Sequence, residues 1–184
     1  MTKEDFLQKL MEIEWDDFEC KRAQDKLPDD VWSTVSAFSN TSGGWIIFGV
    51  KQQGKSFEIN GVNNGEKTES DFLNTLRNGQ KFNMRLTARG QKYYFDGKLV
   101  LAFFVPSSIV KPIYVGSPIN TYIRTGSGDR RATETEVMAM MRDQAFGSKS
   151  EQVVEGTSIN DLNQSSLDTY RNHIRNDNPS FPYK

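Results

Sequence analysis

The sequence has few of the side chains that most metal and thiol sites require. Its 184 residues include one cysteine, Cys20, and one histidine, His173. A single cysteine excludes an intrachain disulfide and a zinc site built from several thiolates. A single histidine, close to the C-terminal end, argues against a histidine-based metal site or a Ser-His-Asp triad on the main part of the chain.

A long apolar run is also absent from the sequence. Hydrophobic residues make up 36% of the chain and charged residues 26%, and no stretch approaches the roughly 20 apolar residues of a membrane span. The first residues, MTKEDFLQKLMEIEWDD, carry acidic side chains throughout instead of the basic start and apolar stretch of a secretory signal. We therefore expect no membrane partner and a cytoplasmic location.

Positive charge is concentrated in the middle of the chain, although the net charge is only −1. Residues 77–131 hold ten basic and two acidic side chains, whereas residues 1–30 hold five basic and ten acidic ones. Such a block indicates an anionic partner that contacts one face. An equally good interpretation is that folding mixes these charges with the acidic ends. The candidate nucleic-acid contacts are Lys21, Arg85, Arg89, Lys92, Arg124, Arg130 and Arg131.

Hydrophobic periodicity predicts an α+β fold, with a mixed β-sheet and flanking helices. The first helix is expected over residues 2–13, and the second after Pro28, with an apolar stripe of Val31, Val35 and Phe38. A third begins near Thr68 or Ser70. A fourth follows the capping box of Thr133 and Glu136, with Val137, Met140, Met141 and Ala145 inward, and a fifth lies around Leu167, Tyr170 and Ile174. Strands are expected in WDDFECK, in GWIIFGV with SFEIN as its partner, in a hairpin turning at Asp96-Gly97, in PIYVG and in NTYIRTG.

Two regions are expected along the chain. Residues 1–146 are predicted to form one domain. Residues 147–184 are predicted to form a linker, beginning with GSKSEQVVEG, and the start of a following C-terminal region. The sequence ends in NDNPSFPYK without an obvious structural conclusion, which indicates the N-terminal part of a longer protein.

Residues 49–56, GVKQQGKS, match the P-loop pattern letter for letter. A P-loop binds phosphates because it leads into a helix whose N-terminal amides and dipole hold them. Here Ser56 is followed by the alternating residues FEIN and then by several asparagines and glycines. The segment is therefore predicted to be a hairpin turn and not a nucleotide site.

Four acidic residues crowd six positions near the N-terminus: Glu14, Asp16, Asp17 and Glu19. Clustered carboxylates bind Mg²⁺ or Mn²⁺, and such ions activate water for phosphodiester hydrolysis. The favoured alternative is a solvated acidic edge that pairs with nearby basic residues.

Arginines flank a Gly-Ser-Gly sequence in YIRTGSGDRRA, where Arg124, Arg130 and Arg131 have the fork geometry that suits phosphate oxygens. An ordinary glycine-rich turn with surface arginines is at least as good an interpretation. Tyr93, Tyr94 and Phe95 follow Lys92 and are either a platform for stacked bases or, as is more usual in a strand, part of the core.

Four segments, taken in order, resemble the Schlafen AlbA-type domain: EWDDFECK, SAFSNTSGGWIIFGV, SSIVKPIY and YIRTGS. The resemblance covers about residues 10–145, and SAFSNTSGG is its most specific part. It implies an AlbA-like fold and a module of a bacterial transcriptional regulator that binds nucleic acid, DNA rather than RNA. It also allows a homodimer and requires no cofactor.

The same resemblance implies an alternative function, a metal-dependent endoribonuclease. Relatives with this activity use three carboxylates and a divalent ion, and the first two correspond to Glu14 and Glu19. The third, just after Gly-Val, corresponds here to Lys51-Gln52, and a lysine would repel the ion. Glu58 substitutes only if the hairpin folds it back. The sequence therefore favours binding over catalysis.

Overall fold

The computed structural model describes residues 17–53, 56–126, 128–150, 156, 158, 161 and 163–177. The expected helix over residues 2–13 and the carboxylates of Glu14 and Asp16 lie outside these residues. Contacts between Cα atoms divide the chain into two compact units, residues 1–145 and 146–184. The boundary at residue 146 between an AlbA-type domain and a following region stays a prediction.

The described part of the first unit consists of short strands and three helices, the last of which continues to Ser150. The strands are β1 (Phe18–Lys21), β2 (Gly44–Phe48), β3 (Val50–Gln53), β4 (Ser56–Ile59), β5 (Arg89–Phe95), β6 (Lys98–Val105), β7 (Tyr122–Thr125) and β8 (Gly128–Arg131), and the helices are α1 (Val31–Asn40), α2 (Gly65–Arg77) and α3 (Glu134–Ser150). A 3₁₀ turn occupies Pro118–Asn120.

The main sheet has the order β1-β2-β6-β5. β1 runs parallel to β2, and the other two pairings are antiparallel. The sheet is therefore mixed, and together with its helices it confirms the predicted α+β class. The hairpins β3–β4 and β7–β8 form two separate two-stranded sheets.

The main sheet is buried on both faces. On one face, α1 and α2 place the predicted stripe of Val31, Val35 and Phe38, together with Phe72, against β2 and β6. On the other face a smaller cluster includes side chains of the β3–β4 hairpin. Both faces of the central strands β2 and β6 are thus covered, whereas the edge strand β5 is exposed over residues 89–92. The surface available to a partner therefore lies at this edge, at the ends of the sheet and on the loops.

Glycine is required where α1 turns into β2. Gly43 has φ +81°, and a Cβ on Gly44 would lie 2.5 Å from the ring of Phe38. Contacts under 3.0 Å are not tolerated without movement, and Phe38 is fully buried. The two glycines of SAFSNTSGG therefore allow the end of α1 to lie against the start of β2.

The hairpin at GVKQQGKS is confirmed. Val50 lies opposite Ile59 and Gln52 opposite Phe57, so Ser56 begins a strand and not a helix. The predicted pairing of SFEIN with GWIIFGV holds only at Val50, which lies opposite Ile59. The rest of GWIIFGV forms β2, which pairs with β1 and β6, whereas β4 pairs with β3. The reason is Gly49, whose φ of +93° bends the chain and separates β2 from β3.

Two predicted helix details need correction. α2 begins at Gly65, before the predicted Thr68 or Ser70, because the side chain of Asn64 accepts a hydrogen bond from the backbone N–H of Lys67 at 3.0 Å and caps the helix. In α3, Met141 is 42% exposed and Ala145 is exposed as well, so neither is inward.

The capping box of α3 is confirmed. Thr133 and Glu136 bond each other reciprocally, since the carboxylate accepts from the Thr133 backbone at 2.7 Å and the Glu136 backbone donates to the threonine hydroxyl at 3.3 Å. These hydrogen bonds lower the pKa of Glu136.

PIYVG is not a regular strand. It forms single bridges from Val115 to Phe82 and from Tyr114 to Thr121.

The second unit contains α4 (Gln164–Asp177), which agrees with the helix predicted around Leu167. Tyr170 is 63% exposed on this helix. Residues 147–150, which the sequence assigns to the linker, are the last residues of α3. None of the helices in the described residues combines the length and the apolar character needed to cross a membrane.

Candidate nucleic-acid interface

The last residue of α1, Asn40, joins three segments of the chain. Its side-chain amide donates to the carbonyl of Ile113 at 2.8 Å and to the carbonyl of Tyr122 at 2.9 Å. Its side-chain oxygen accepts from the backbone N–H of Ile113 at 2.7 Å. Asn40 is only 5% exposed, so these bonds are shielded from competing water.

Ser36, one turn earlier on α1, reinforces the same junction. Its hydroxyl donates to the carbonyl of Ile113 at 2.7 Å and accepts from the backbone N–H of Tyr122 at 3.1 Å. The sequence segments SAFSNTSGG, KPIY and YIRTGS are therefore one hydrogen-bonded unit. Their polar residues fix the extended segment at Ile113 and strand β7 against α1.

A loop over residues 106–111 projects from the end of β6 and is tied to the end of α1. The Ser107 hydroxyl donates to the carbonyl of Thr41 at 2.6 Å, and the backbone N–H of Ser108 donates to the carbonyl of Ser39 at 2.8 Å. The amino group of Lys111 also reaches the Thr41 carbonyl, at 3.3 Å. The loop is anchored at both sides of its tip.

A groove of about 280 Å³ separates this loop from the segment that precedes β5. Arg85 lines it, and Arg89 begins β5 directly opposite Phe104, two residues before the loop. Both arginines are exposed, and within the described residues neither has an ion pair. The groove lining comprises Ser39, Met84, Arg85, Leu86, Thr87 and residues 106–110.

Lys111 stands at the foot of the same loop. Its side chain is partly buried, and this burial lowers the pKa of its amino group. Lys111 is not among the contacts predicted from the sequence, although SSIVKPIY contains it. Only the fold reveals that it lies at the same end of the sheet as Arg89.

Arg130 and Arg131 are carried to this end of the molecule by β8. Arg131 lies opposite Tyr122, whose carbonyl accepts from Asn40 at the end of α1. Both arginines are exposed, and no acidic side chain in the described part of the chain pairs with them. Five basic residues thus define what we call the basic end: Arg85, Arg89, Lys111, Arg130 and Arg131.

Arg124, a predicted phosphate contact, is instead inside the molecule. Its guanidinium donates to Glu19 at 3.0 Å, to Asp129 at 2.8 Å and to the carbonyl of Phe18 at 3.1 Å. It also lies 5.1 Å from the centre of the Phe38 ring. With a side chain only 3% exposed, Arg124 joins β1, β7 and β8 and is not positioned to contact a phosphate.

Lys21, which was also predicted to contact nucleic acid, is instead paired with two acidic side chains of this chain. Its amino group lies 3.0 Å from Glu19 and 2.6 Å from Asp30. Burial alone would lower the pKa of this lysine, but the two carboxylates outweigh it and raise the pKa. Lys21 and Arg124 therefore neutralise acidic residues of this chain.

Lys92 has a partner of its own in Glu69 of α2, at 2.6 Å, and the hydrogen bond and charge of Glu69 raise its pKa. In the neighbouring aromatic run, Phe95 is buried and Tyr93 packs against the smaller core cluster. Only Tyr94 is largely exposed, at 63%. The aromatic run is thus mainly core, and no stacking platform of three rings forms.

Of the two carboxylates assigned to the nuclease alternative, Glu19 lies within the described residues, and Glu14 lies outside them. One carboxylate oxygen of Glu19 faces Lys21 and the other faces Arg124, each at 3.0 Å, so both are bound by cations. The position of the third acid is Lys51, opposite Glu58 in the β3–β4 hairpin. Across the described chain, no three His, Cys, Asp or Glu side chains are grouped so as to hold a metal ion.

Cys20 offers no thiolate chemistry. Burial, assisted by the negative charge of Glu19, raises the pKa of its thiol far above the usual value. The side chain packs against the smaller core cluster. A thiol that stays protonated is a poor nucleophile.

Comparison with known families gives two matches along the chain. Residues 14–133 match the family described as Schlafen, AlbA_2. Residues 138–184 match a family described as a domain of unknown function, DUF8451. No curated protein matches the chain.

The solved structures similar to this one include one from Nitrosomonas europaea and one from Corynebacterium diphtheriae. The N-terminal domain of a protein from Nitrosomonas europaea, described as related to the ATP-dependent DNA helicase RecG, has 29% sequence identity and a TM-score of 0.51. The similarity covers 70% of this chain and 90% of that domain. The DIP2311 protein from Corynebacterium diphtheriae has 20% identity and a TM-score of 0.49, over 85% of this chain and 32% of that one.

Proposed function

Because this chain belongs to the Schlafen, AlbA_2 family, we propose that its first unit is a nucleic-acid-binding module that contacts phosphates through the basic end. The proposal rests on the difference between the basic residues that form ion pairs within the chain and those that do not. Lys21, Lys92 and Arg124 are paired with acids of this chain. Arg85, Arg89, Arg130 and Arg131 are exposed, without an ion pair among the described residues.

The chemistry of this surface suits a phosphate backbone. An arginine guanidinium donates two parallel hydrogen bonds to phosphate oxygens, and the hydroxyl of Thr87, which lines the groove with Arg85, can add a neutral donor. Contacts of this kind hold a strand in position without reading its sequence. We therefore expect binding that is largely independent of sequence.

DNA is the proposed ligand, ahead of RNA. The similar domain from Nitrosomonas europaea belongs to a protein described as related to a DNA helicase, which supports this choice. We further propose that the module serves a cytoplasmic, bacterial transcriptional regulator and that it can act as a homodimer, in which a second basic end would strengthen binding.

Charge reversal at Arg130 and Arg131 is expected to weaken the binding of labelled duplex DNA by about tenfold or more at low salt, because two phosphate contacts become repulsive. Fluorescence anisotropy with duplex and single-stranded oligonucleotides measures the affinity. The unchanged protein should bind both, and the loss should shrink as salt is added.

A matched control reverses two exposed lysines at the other end of the main sheet, Lys26→Glu with Lys67→Glu. That end is defined by the backbone N–H of Val62, which donates to Leu99 near the start of β6, and by Asn63, which donates to Gln24. The change in net charge is the same, so affinity should stay within about twofold if position matters. Equal losses in both double variants, or no binding at low salt, would contradict the proposal.

A further inference from the structure

The tip of the loop over residues 106–111 presents an apolar surface to solvent. Ile109 is 101% exposed and Val110 is 38% exposed. Single exposed apolar residues are common, but loop tips are usually polar, and two adjacent apolar residues at the most exposed point of a loop require an explanation.

The loop holds this tip in a fixed position. The Ser108 hydroxyl donates to the carbonyl of Val110 at 2.7 Å and so closes the tip on itself. Its two sides are bonded to the last turn of α1 through Ser107, Ser108 and Lys111. Ile109 is therefore held out by a braced turn, and ordering it on binding costs little entropy.

Positive charge surrounds the tip. Arg85 lines the groove beside it, Arg89 lies opposite Phe104 just before the loop, and Lys111 follows Val110 directly. An apolar side chain with cations on several sides matches the bases and phosphates of DNA better than an uncharged protein surface. Proteins that insert aliphatic side chains between base pairs have this arrangement, with Arg or Lys on the flanking backbone.

We propose that Ile109, supported by Val110, is a wedge that enters a base step of duplex DNA held at the basic end. The inference rests on the proposed function and deepens it, since it identifies a duplex as the ligand and local unstacking as the effect of binding. Flexible pyrimidine–purine steps are the preferred sites, because they open most easily.

The test uses the full 184-residue chain and a duplex in which a fluorescent adenine analogue, quenched by stacking, replaces adenine at successive TpA steps. Binding of the unchanged protein should raise the emission. Ile109→Ala keeps every cation and should still bind, with about tenfold weaker affinity and no rise in emission. Because Ile109 is fully exposed, the variant should melt at the same temperature as the parent.

Ile119→Ala is the matched control, because Ile119 is 69% exposed and lines a different groove beside α3. It should bind and raise the emission like the unchanged protein. If the parent binds DNA without a rise in emission, or if Ile109→Ala retains the rise, the wedge is refuted while the proposed function survives. Ile109→Ala binding within twofold of the parent would also refute the wedge, and absence of any DNA binding would refute both proposals.

Discussion

Replacing Asn40 with alanine is expected to lower the free energy of unfolding by about 3–5 kcal/mol, among the larger effects of a single substitution. The side chain hydrogen-bonds both backbone groups of Ile113, the carbonyl of Tyr122 and, more weakly at 3.4 Å, the hydroxyl of Ser36. Ile113 is fully buried, so water cannot replace the lost donor and acceptor. Urea unfolding followed by tryptophan fluorescence measures the difference.

The control for this prediction is Asn74→Ala on α2. Asn74 is exposed and bonds only the Ser70 hydroxyl, at 3.0 Å, among the hydrogen bonds of the described residues. Alanine also favours a helix, so stability should change by no more than about 0.5 kcal/mol. An effect at Asn40 as small as that at Asn74 would contradict its role as the junction of α1, β7 and the segment at Ile113.

Replacing Arg124 with alanine is expected to cost about 3–5 kcal/mol of stability, because the carboxylates of Glu19 and Asp129 would lose their shared cation in a poorly solvated site. The side chains of these two acids are 23% and 14% exposed. Asp129 also accepts from the Thr34 hydroxyl at 2.6 Å, so it cannot turn freely towards solvent. Arg124→Lys should be intermediate, since one ammonium group cannot reach all three oxygens.

Arg130→Ala provides the comparison within the same hairpin. Arg130 is exposed on β8, so its removal should change stability by less than about 0.5 kcal/mol while weakening DNA binding. Arg124→Lys should behave in the opposite way: its free energy of unfolding should be lower, whereas the affinity of the folded variant for DNA should be unchanged. Reduced affinity of folded Arg124→Lys would contradict the structural role assigned to this arginine and restore it as a phosphate contact.

Local patterns in the sequence were sufficient for the parts of the fold that depend on local chemistry. The hairpin at Asp96-Gly97 was predicted because that pair tolerates left-handed backbone, and both residues have positive φ, 49° and 78°. The capping box of Thr133 and Glu136 was predicted from the spacing of two residues whose side chains bond the first backbone N–H groups of a helix. Each of these signals lies within four residues of its effect.

Such local patterns do not predict where a strand bends or which residues come together in the tertiary structure. The apolar run GWIIFGV is one strand by composition, but Gly49 divides it, and nothing in the alternation of SFEIN indicates which half it pairs with. Similarly, charge counting treats Arg124 and Asp129 as members of a basic block. Only the fold brings them together with Glu19, 105 positions from Arg124 in sequence.

The sequence therefore predicted that basic residues form the candidate site, but not which of them do. Of the predicted contacts, Arg85, Arg89, Arg130 and Arg131 are exposed, and their contact with nucleic acid stays a prediction. Lys21 and Arg124 form ion pairs within the chain. Lys111 was missed because its place at the basic end depends on how the loop after β6 folds back on α1. Exposure and pairing, which no single sequence reveals, decide which charges are available to a ligand.

The salt dependence of DNA binding tests the central claim most directly. If the five residues of the basic end neutralise one phosphate each, a plot of the logarithm of the association constant against the logarithm of the salt concentration should have a slope of about −4.5 on duplex DNA. Arg130→Glu with Arg131→Glu should make that slope shallower by about 2, because each phosphate contact contributes about one. A slope near zero, or the same slope in the parent and the double variant, would contradict a phosphate-binding basic end.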